Sequence, residues 1–557
     1  MAARTGAEIL VDALLANGLR LGFGVPGESY LAVLEAMRAK GFDFLTCRQE
    51  GGAAMMADAA GKLTGRPGLC FATRGPGAAN AFAGVHVAAQ DSTPMILFVG
   101  QIARGFRHRE AFQELDHRAV FGSVAKWAVE IDDAARIPEL VSRAIRVATQ
   151  GRPGPVIMAM PEDMLDEAAE VADAPPVVAA ETWPGLTDMA ALQKLLWAAE
   201  RPIALVGGSR WSETAVGRLK RFAERFALPV AATFRRQMLF PADHACYAGD
   251  LGIAPNPKLR KRVENADLVL LIGGRLGEMP SQGYEVLSVP APRQKLVHVH
   301  PDPEELGRVY QPALAINASP TAFAAALEAV QPPQEIGWRA ETEAARADYL
   351  DWTREVPAHP GEVQMREVMA AFATLPPDAI VTNGAGNYSG WFHRFHRVTR
   401  YGSQAAPTSG SMGYGLPGAI AAKRLNPERE VVALAGDGCF LMTGQELATA
   451  VQYGLGVVAL VFDNGQLGTI RMHQEREFPD RPFATALRNP DFADYARAFG
   501  AEGFSVTKAG EFADAFGLAR AAALEGRPAV VHVRIHPDAI SATKTLDEIR
   551  EGKPKGD

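Results

Sequence analysis

Along the chain, short uninterrupted apolar runs alternate with longer stretches whose apolar residues recur at helical spacing. "GLCFA", "MILFVG", "PVIMAM", "IALVGG", "LVLLIGG" and "KLVHVH" are of the first kind. Apolar runs of about four to eight residues between turn formers read as strands buried on both faces, and the Ala/Leu/Glu-rich segments between them as crossover helices. The pattern predicts an α/β protein built from doubly wound parallel sheets. At 557 residues the chain exceeds a single core and divides into about three domains. "EAAEVADAPPVVAAETWPGLTD" and "QPPQEIGWRAETEAARADYLDWTREVPAHPGE" read as linkers around residues 167–188 and 331–362, which sets domains at 1–170, 188–332 and 360–545.

The outer pieces share a plan. "LCFATRGPGAANAFAGVHVAAQDSTPMILFVG" places strand, glycine turn, helix and strand at nearly the spacing of "VVALAGDGCFLMTGQELATAVQYGLGVVALVF". Two related domains around a third would give this, and so would a feature generic to crossover units. In the second segment, Val431 to Ala435 and Val457 to Phe462 read as parallel strands, with Glu446, Leu447 and Ala450 on the crossover helix. Asp437, between Gly436 and Gly438, and Asn464 therefore emerge at the same sheet edge, where open α/β sheets bind ligands.

Glycines beside a helix start let backbone N–H groups approach an anion. A carboxylate there would repel phosphate unless a divalent cation lay between them, and magnesium or calcium takes hard oxygen ligands. Asp437 and Asn464 suit such an ion, with a carbonyl of "NGQLG" as a third ligand. Taken singly, each residue is also ordinary turn chemistry.

Bulk properties narrow the classes of function. The formal net charge is −7 and no basic run occurs, so nucleic acid is not an expected partner. No apolar stretch reaches the ~20 residues that cross a bilayer, and the amphipathic start, broken by Glu8 and Asp12, has no signal-peptide core. A cytoplasmic protein without a membrane role is expected. Cys47, Cys70, Cys246 and Cys439 lie far apart with no CxxC pair, which suggests neither zinc site nor disulfide framework.

"GDG" with "FDNGQLG" downstream resembles the thiamine diphosphate and magnesium motif of thiamine-dependent enzymes, and "GDGCFLMTGQELATAVQYGL" is similar to acetolactate synthase catalytic subunits. The likeness runs from "TGAEILVDALLANGLRLGFGVPGE" to "RPAVVHVRIHPDAISATKTLDEI". It implies Asp437, Asn464 and the backbone oxygen of Gln466 as magnesium ligands; Asp463 stands where the family often has an asparagine. It also implies that Glu50, after an apolar strand in "FDFLTCRQEGGAAMMADAAGKLTG", is the carboxyl group that activates the aminopyrimidine. Without the family, Glu50 is a helix-start acid favoured by the dipole. By the same resemblance, in "APTSGSMGYGLPGAIAAK" the carbonyl of Gly410 accepts from the 4'-amino group and Met412 bends the cofactor, while Gly386, Asn387, Tyr388, Gly438 and Cys439 contact the diphosphate. Alone, Met412 is a core methionine.

For the reaction, "EAFQELD" resembles the Phe-Gln segment of the synthases. It implies that Phe112 and Gln113 face the thiazolium, with Gln113 polarising a substrate oxygen; an exposed loop amide is the plain alternative. "LGTIRMHQE" departs from the synthases, which usually carry Met-Val and then tryptophan here, so Thr469, Ile470 and His473 would shape an altered acceptor pocket. The middle domain keeps Arg275 without the rest of the arginine-aspartate run and His-Gly of FAD-bearing synthases, and tight FAD is not expected. "VGGSR" and "LIGGRLG" are remnants of a nucleotide site or ordinary strand ends. The resemblance further implies a homodimer or homotetramer with interfacial sites. The expected activity is a thiamine diphosphate-dependent lyase or carboligase acting on 2-oxoacids or 2-hydroxyketones. The alternatives are a simple 2-oxoacid decarboxylase, for which His108 and His117 are not paired, and a catalytically idle cofactor-binding subunit with a regulatory or scaffolding role.

Overall fold

A computed structural model describes residues 2–552. It contains three six-stranded sheets, each wholly parallel. The first uses Leu21–Gly24, Asp43–Thr46, Gly68–Ala72, Met95–Gln101, Trp127–Glu130 and Pro155–Pro161. The second uses Pro202–Val206, Val230–Thr233, Tyr247–Leu251, Leu268–Ile272, Lys295–His300 and Leu314–Asn317. The third uses Ile380–Asn383, Gln404–Ala405, Val431–Gly436, Val458–Asp463, Glu502–Val506 and Ala529–Arg534. Central strands such as Met95–Gln101 are buried throughout, which is why they read as unbroken apolar runs.

Numbered in chain order within each domain, the strands lie 2-1-3-4-6-5 in both outer sheets and 3-2-1-4-5-6 in the middle one. The shared plan of the outer segments is thus a shared topology. Strand order reverses between strands 1 and 3 in the outer sheets and between 1 and 4 in the middle sheet, and crevices at the carboxyl ends of such strands bind ligands. In the third domain that crevice lies where Ile380–Asn383 and Val431–Gly436 end, beside Gly384 and Asp437.

Two local readings change. The crossover after Val431–Gly436 is not one helix but three short pieces, Asp437–Phe440, a 3-10 turn over Gly444–Glu446, and Leu447–Gln452. At the break, the Thr443 hydroxyl donates to the Gly413 carbonyl at 2.5 Å, so the interruption anchors a neighbouring loop. Segment 331–362 is also more than a connector. Its helix Arg339–Trp352 docks on the middle domain, where Trp338 Nε1 donates to the Phe226 carbonyl at 2.9 Å and the Thr342 hydroxyl to that of Ala227 at 2.6 Å. No helix among the described residues is long and apolar enough to cross a membrane.

The outer domains share one hydrophobic core, whereas the middle domain keeps its own. The shared core forms where helix Glu50–Thr64 packs against helix Gly415–Leu425. Every residue from Glu50 to Gly61 is buried, and small side chains allow the close fit: a Cβ on Gly84 would lie 2.4 Å from that of Ala54. Within this seam Lys62 pairs with both Asp58 and Asp91, Tyr414 Oη donates to Asp58 at 2.7 Å, and the Thr408 backbone donates to Asp91 at 2.9 Å. One ammonium therefore compensates two carboxylates that are out of contact with water. Removing one partner from a buried ionic cluster costs about 3–5 kcal/mol. Lys62→Met is accordingly expected to lose that much stability, measured as the shift of the urea unfolding curve, and Asp58→Asn in the same chain to recover part of it.

Candidate active site

A cavity of about 1670 Å³ runs from the carboxyl edge of the third sheet to that of the middle sheet. Gly386, Asn387, Tyr388, Gly410, Met412, Asp437, Gly438, Cys439, Asn464, Gln466, Thr469, Ile470 and His473 all line it. Local chemistry explains this gathering. Asp437 opens the short helix after Val431–Gly436, with its Oδ1 accepting from the Gly438 N–H at 2.8 Å and its Oδ2 from Asn489 Nδ2 at 2.7 Å. Burial, with the neighbouring Asp463 carboxylate, pushes its pKa up to about 6 against these two donors. A cation at this point would relieve that cost.

Asn464 follows strand Val458–Asp463, and the loop after it is pinned by segment 485–487. Leu467 N–H donates to the Thr485 carbonyl and Leu487 N–H to that of Gly465, both at 2.8 Å. In such an antiparallel bridge the central residue, Gln466, turns its own N–H and C=O away from the partner segment. Its carbonyl is thus free on the side away from residues 485–487. Among the described residues, no group of three or more His, Cys, Asp or Glu could hold a metal. One carboxylate, one amide oxygen and one backbone carbonyl form instead a hard, all-oxygen donor set, suited to magnesium completed by phosphate oxygens.

The loops around these ligands form a cradle for which side chains leave no room. A Cβ on Gly384 would fall 2.4 Å from Cys439 Sγ, and one on Gly438 2.8 Å from Leu467 Cδ2. Cys439 Sγ accepts from Gly413 N–H at 3.3 Å and lies 3.6 Å from Tyr388 Oη, whose hydroxyl also donates to the Leu434 carbonyl. Gly410 and Gly413 have φ of 70° and 81°, a left-handed backbone that admits Gly readily. Thr469 joins helix Gly468–Glu477 to the loop after Ile380–Asn383, since its hydroxyl donates to Asn387 Oδ1 at 3.0 Å and accepts from Asn387 N–H at 3.2 Å. Ile470 is half exposed, and His473 lies exposed at the rim.

Glu50, Phe112 and Gln113 do not line this cavity. They form a second cluster at the carboxyl edge of the first sheet. Glu50 begins helix Glu50–Thr64, is 8% exposed, and accepts from Asn80 Nδ2 at 3.0 Å. Its other oxygen would touch a Cβ on Gly77 at 3.0 Å. The Gln113 carbonyl accepts from Gly75 N–H at 3.1 Å, and Phe112 is 71% exposed. Glu446, absent from the candidate set, fixes this cluster to the third domain: fully buried, it accepts the Arg48 and Gln49 N–H groups at 3.0 and 2.9 Å and the Thr449 hydroxyl at 2.7 Å. Asn80 and Asn489 are likewise additions that no local pattern marked.

In the middle domain the glycine turns pack on one another. A Cβ on Gly207 would lie 2.2 Å from Thr233 Oγ1, and one on Gly208 1.8 Å from the Gly273 carbonyl. Trp211 Nε1 donates to the Gly207 carbonyl at 2.8 Å, and Arg275 reaches across to the Gln90 carbonyl of the first domain. These glycines pack closely on neighbouring strand ends, and Gly208, Gly273 and Gly274 also border the middle-domain end of the cavity.

Comparison with known proteins agrees with the geometry. Residues 4–120, 189–327 and 384–533 match the N-terminal TPP binding domain, the central domain and the C-terminal TPP binding domain of thiamine pyrophosphate enzymes. The chain belongs to the thiamine pyrophosphate enzyme family. Within it, the chain is 31% identical to an acetolactate synthase large subunit of Parasynechococcus marenigrum over 90% of its own length and 83% of the relative's. It is 30% identical to the acetolactate synthase isozyme 2 large subunit of Escherichia coli over 90% and 91%, and to the acetolactate synthase of Bacillus subtilis over 91% and 90%.

Gly384→Ala should force the loop after Ile380–Asn383 off Cys439 and weaken thiamine diphosphate binding by at least about tenfold, the scale of a 1.4 kcal/mol loss. Gly517→Ala, where a Cβ meets no other atom within 4 Å, should leave it unchanged. Isothermal titration with cofactor and magnesium checks both.

Proposed function

We propose that the protein is a thiamine diphosphate- and magnesium-dependent carboligase of the acetolactate synthase kind, acting on 2-oxoacids, and that two copies of the chain build each active site. The carrying observation is the convergence of Asp437, Asn464 and the free Gln466 carbonyl beside a side-chain-free cradle. The relatives named above support the reaction type. Placement of Glu50 and Gln113 outside that cavity supports a homodimer or homotetramer, because a lone chain holds both halves of the machinery without facing them to each other. Such an enzyme would work in the cytoplasm on small molecules, without nucleic acid or membrane.

When bound, thiamine diphosphate supplies a nucleophilic carbon for the carbonyl of a 2-oxoacid and accommodates the electron pair left by departing carbon dioxide. Asp437, the Asn464 amide oxygen and the Gln466 carbonyl would hold magnesium against the diphosphate. Gly386, Asn387, Tyr388, Gly438 and Cys439 line the place for its oxygens. Gly410 would offer a carbonyl to the aminopyrimidine, and Met412 an apolar support. Glu50 of the second copy is positioned by Asn80 on one oxygen, which leaves the other to carry the proton exchanged with the pyrimidine. Gln113 of that copy would polarise a substrate oxygen, and its exposed Phe112 would exclude water once docked. Thr469, Ile470 and His473 would border the second substrate. Flavin has no part in this reading, because the middle domain keeps Arg275 without the rest of the arginine-aspartate run and the His-Gly that FAD-bearing synthases carry.

The histidines of the first domain speak against a simple decarboxylase. His108 is exposed, whereas His117 is buried and held neutral, its pKa down to about 4 through burial and Arg107. They do not form a proton-donating pair. Retention of Glu50 together with Asp437 and Asn464 likewise disfavours an idle subunit.

With cofactor, magnesium and pyruvate, purified protein is expected to release carbon dioxide and form acetolactate, read by mass spectrometry; carbon dioxide without a two-substrate product would instead indicate a decarboxylase. Glu50→Gln should slow hydrogen-deuterium exchange at thiazolium C2 by at least about 10²-fold, the scale of general acid-base assistance, while magnesium-dependent cofactor binding persists. Unaltered exchange in that variant would remove Glu50 from its role.

A further inference from the structure

Behind the metal ligands lies a hydrogen-bonded chain that none of the cofactor contacts requires. Asn489 Nδ2 donates to Asp437 Oδ2 at 2.7 Å and to Asp463 Oδ1 at 2.8 Å, so one amide group bridges two neighbouring carboxylates. Asp463 Oδ1 also accepts from Gly465 N–H at 2.9 Å, and its Oδ2 lies 2.9 Å from Nε2 of the fully buried His532. The other nitrogen of that ring, Nδ1, accepts the Phe492 N–H at 3.2 Å. A backbone N–H can only donate, so Nδ1 is the acceptor and the imidazole hydrogen sits on Nε2, pointed at Asp463. The backbone thus settles the place of the ring hydrogen at the far end of the chain, and the two carboxylate acceptors settle the orientation of the Asn489 amide.

This arrangement has a consequence for Asp437. An ionised carboxylate offers about four lone-pair positions. Gly438 N–H occupies one on Oδ1 and Asn489 one on Oδ2, which fixes the plane of the group and leaves each oxygen able to meet a cation. Without the Asn489 hydrogens, the repulsion between the neighbouring Asp437 and Asp463 carboxylates would lose its shared donor. The segment carrying Asn489 is the same one whose residues 485–487 pin the Gln466 loop. One stretch of chain thus orients two of the three metal donors.

We infer that Asn489, anchored through Asp463 and His532, is a positioning residue that sets magnesium affinity by holding the Asp437 carboxylate in its metal-binding orientation. This rests on the cofactor reading given above. Partners that orient metal ligands in this way typically contribute 10–100-fold in metal affinity.

The test uses the full-length protein and magnesium titrated at saturating thiamine diphosphate, followed by intrinsic fluorescence, with the melting temperature of the metal-free protein measured alongside. Asn489→Leu keeps the branched shape but cannot donate, and Asn489→Ala is a smaller change that serves if the first variant fails to fold. Expected are a rise of about 10–100-fold in the magnesium concentration for half-saturation, full recovery of cofactor binding at excess magnesium, and a melting temperature within about 2 °C of wild type. A half-saturation point within twofold of wild type in a folded variant overturns the inference, and so does a loss that excess magnesium does not repair. Wild-type protein that binds thiamine diphosphate without any magnesium requirement would overturn the cofactor reading itself, a separate result from either.

Discussion

The buried carboxylate of Glu446 accepts the backbone N–H groups of Arg48 and Gln49 and so fixes the first turn of helix Glu50–Thr64 to the third domain. That contact, with the Lys62 cluster and the shared core behind it, decides where Glu50 lies relative to its own metal loop. Desolvated carboxylates tolerate neither lost partners nor sliding. The two outer domains thus pack on one continuous core, and Glu50 lies outside the cavity that Asp437 lines. In the proposed reading an active site made of both halves draws on a second copy, and the oligomer would be a condition of catalysis.

The third domain shows how little sequence is needed to gather hard oxygen donors at one sheet edge when topology does the placing. Its strand order reverses beside Gly384 and Asp437, which opens a crevice where glycine loops leave backbone accessible. Asp437 sits at the start of a four-residue helix, and the donors that orient it come from the chain immediately after it and from residues 485–492. The first domain has the same strand order, but at the corresponding point it carries "GPG", with a long buried helix and a lone glutamate opposite. In the proposed reading one architecture serves phosphate and metal in one domain and proton transfer in the other.

Much of this was legible in the sequence because it is written in short-range chemistry. Strands buried on both faces are unbroken apolar runs, and the glycines around Asp437 and Gly410 announce close backbone approach. What escaped is what only tertiary contact creates. Asn80 and Asn489 are single polar residues in unremarkable surroundings, and their partners lie about 30 and 52 positions away. Glu446 was read as one point of helical spacing, yet it ends a 3-10 turn and bonds to residues nearly 400 positions earlier. Asp463 looked like a mere departure from the family, whereas the buried His532 and Asn489 give the aspartate two donors of its own. The broken crossover was missed for a similar reason: the hydroxyl that interrupts it answers to Gly413 on another loop.

Subunit complementation tests the two-copy site most directly. Glu50→Gln and Asp437→Asn chains, each inactive alone, would be mixed in equal amounts under conditions that exchange subunits, and carboligase activity then measured. In a mixed dimer one of the two sites keeps both Glu50 and Asp437, so random pairing should restore about one quarter of the wild-type activity. No recovery in proven mixed assemblies would mean that Glu50 and Asp437 act within one chain, and the site would have to be rebuilt from a single copy.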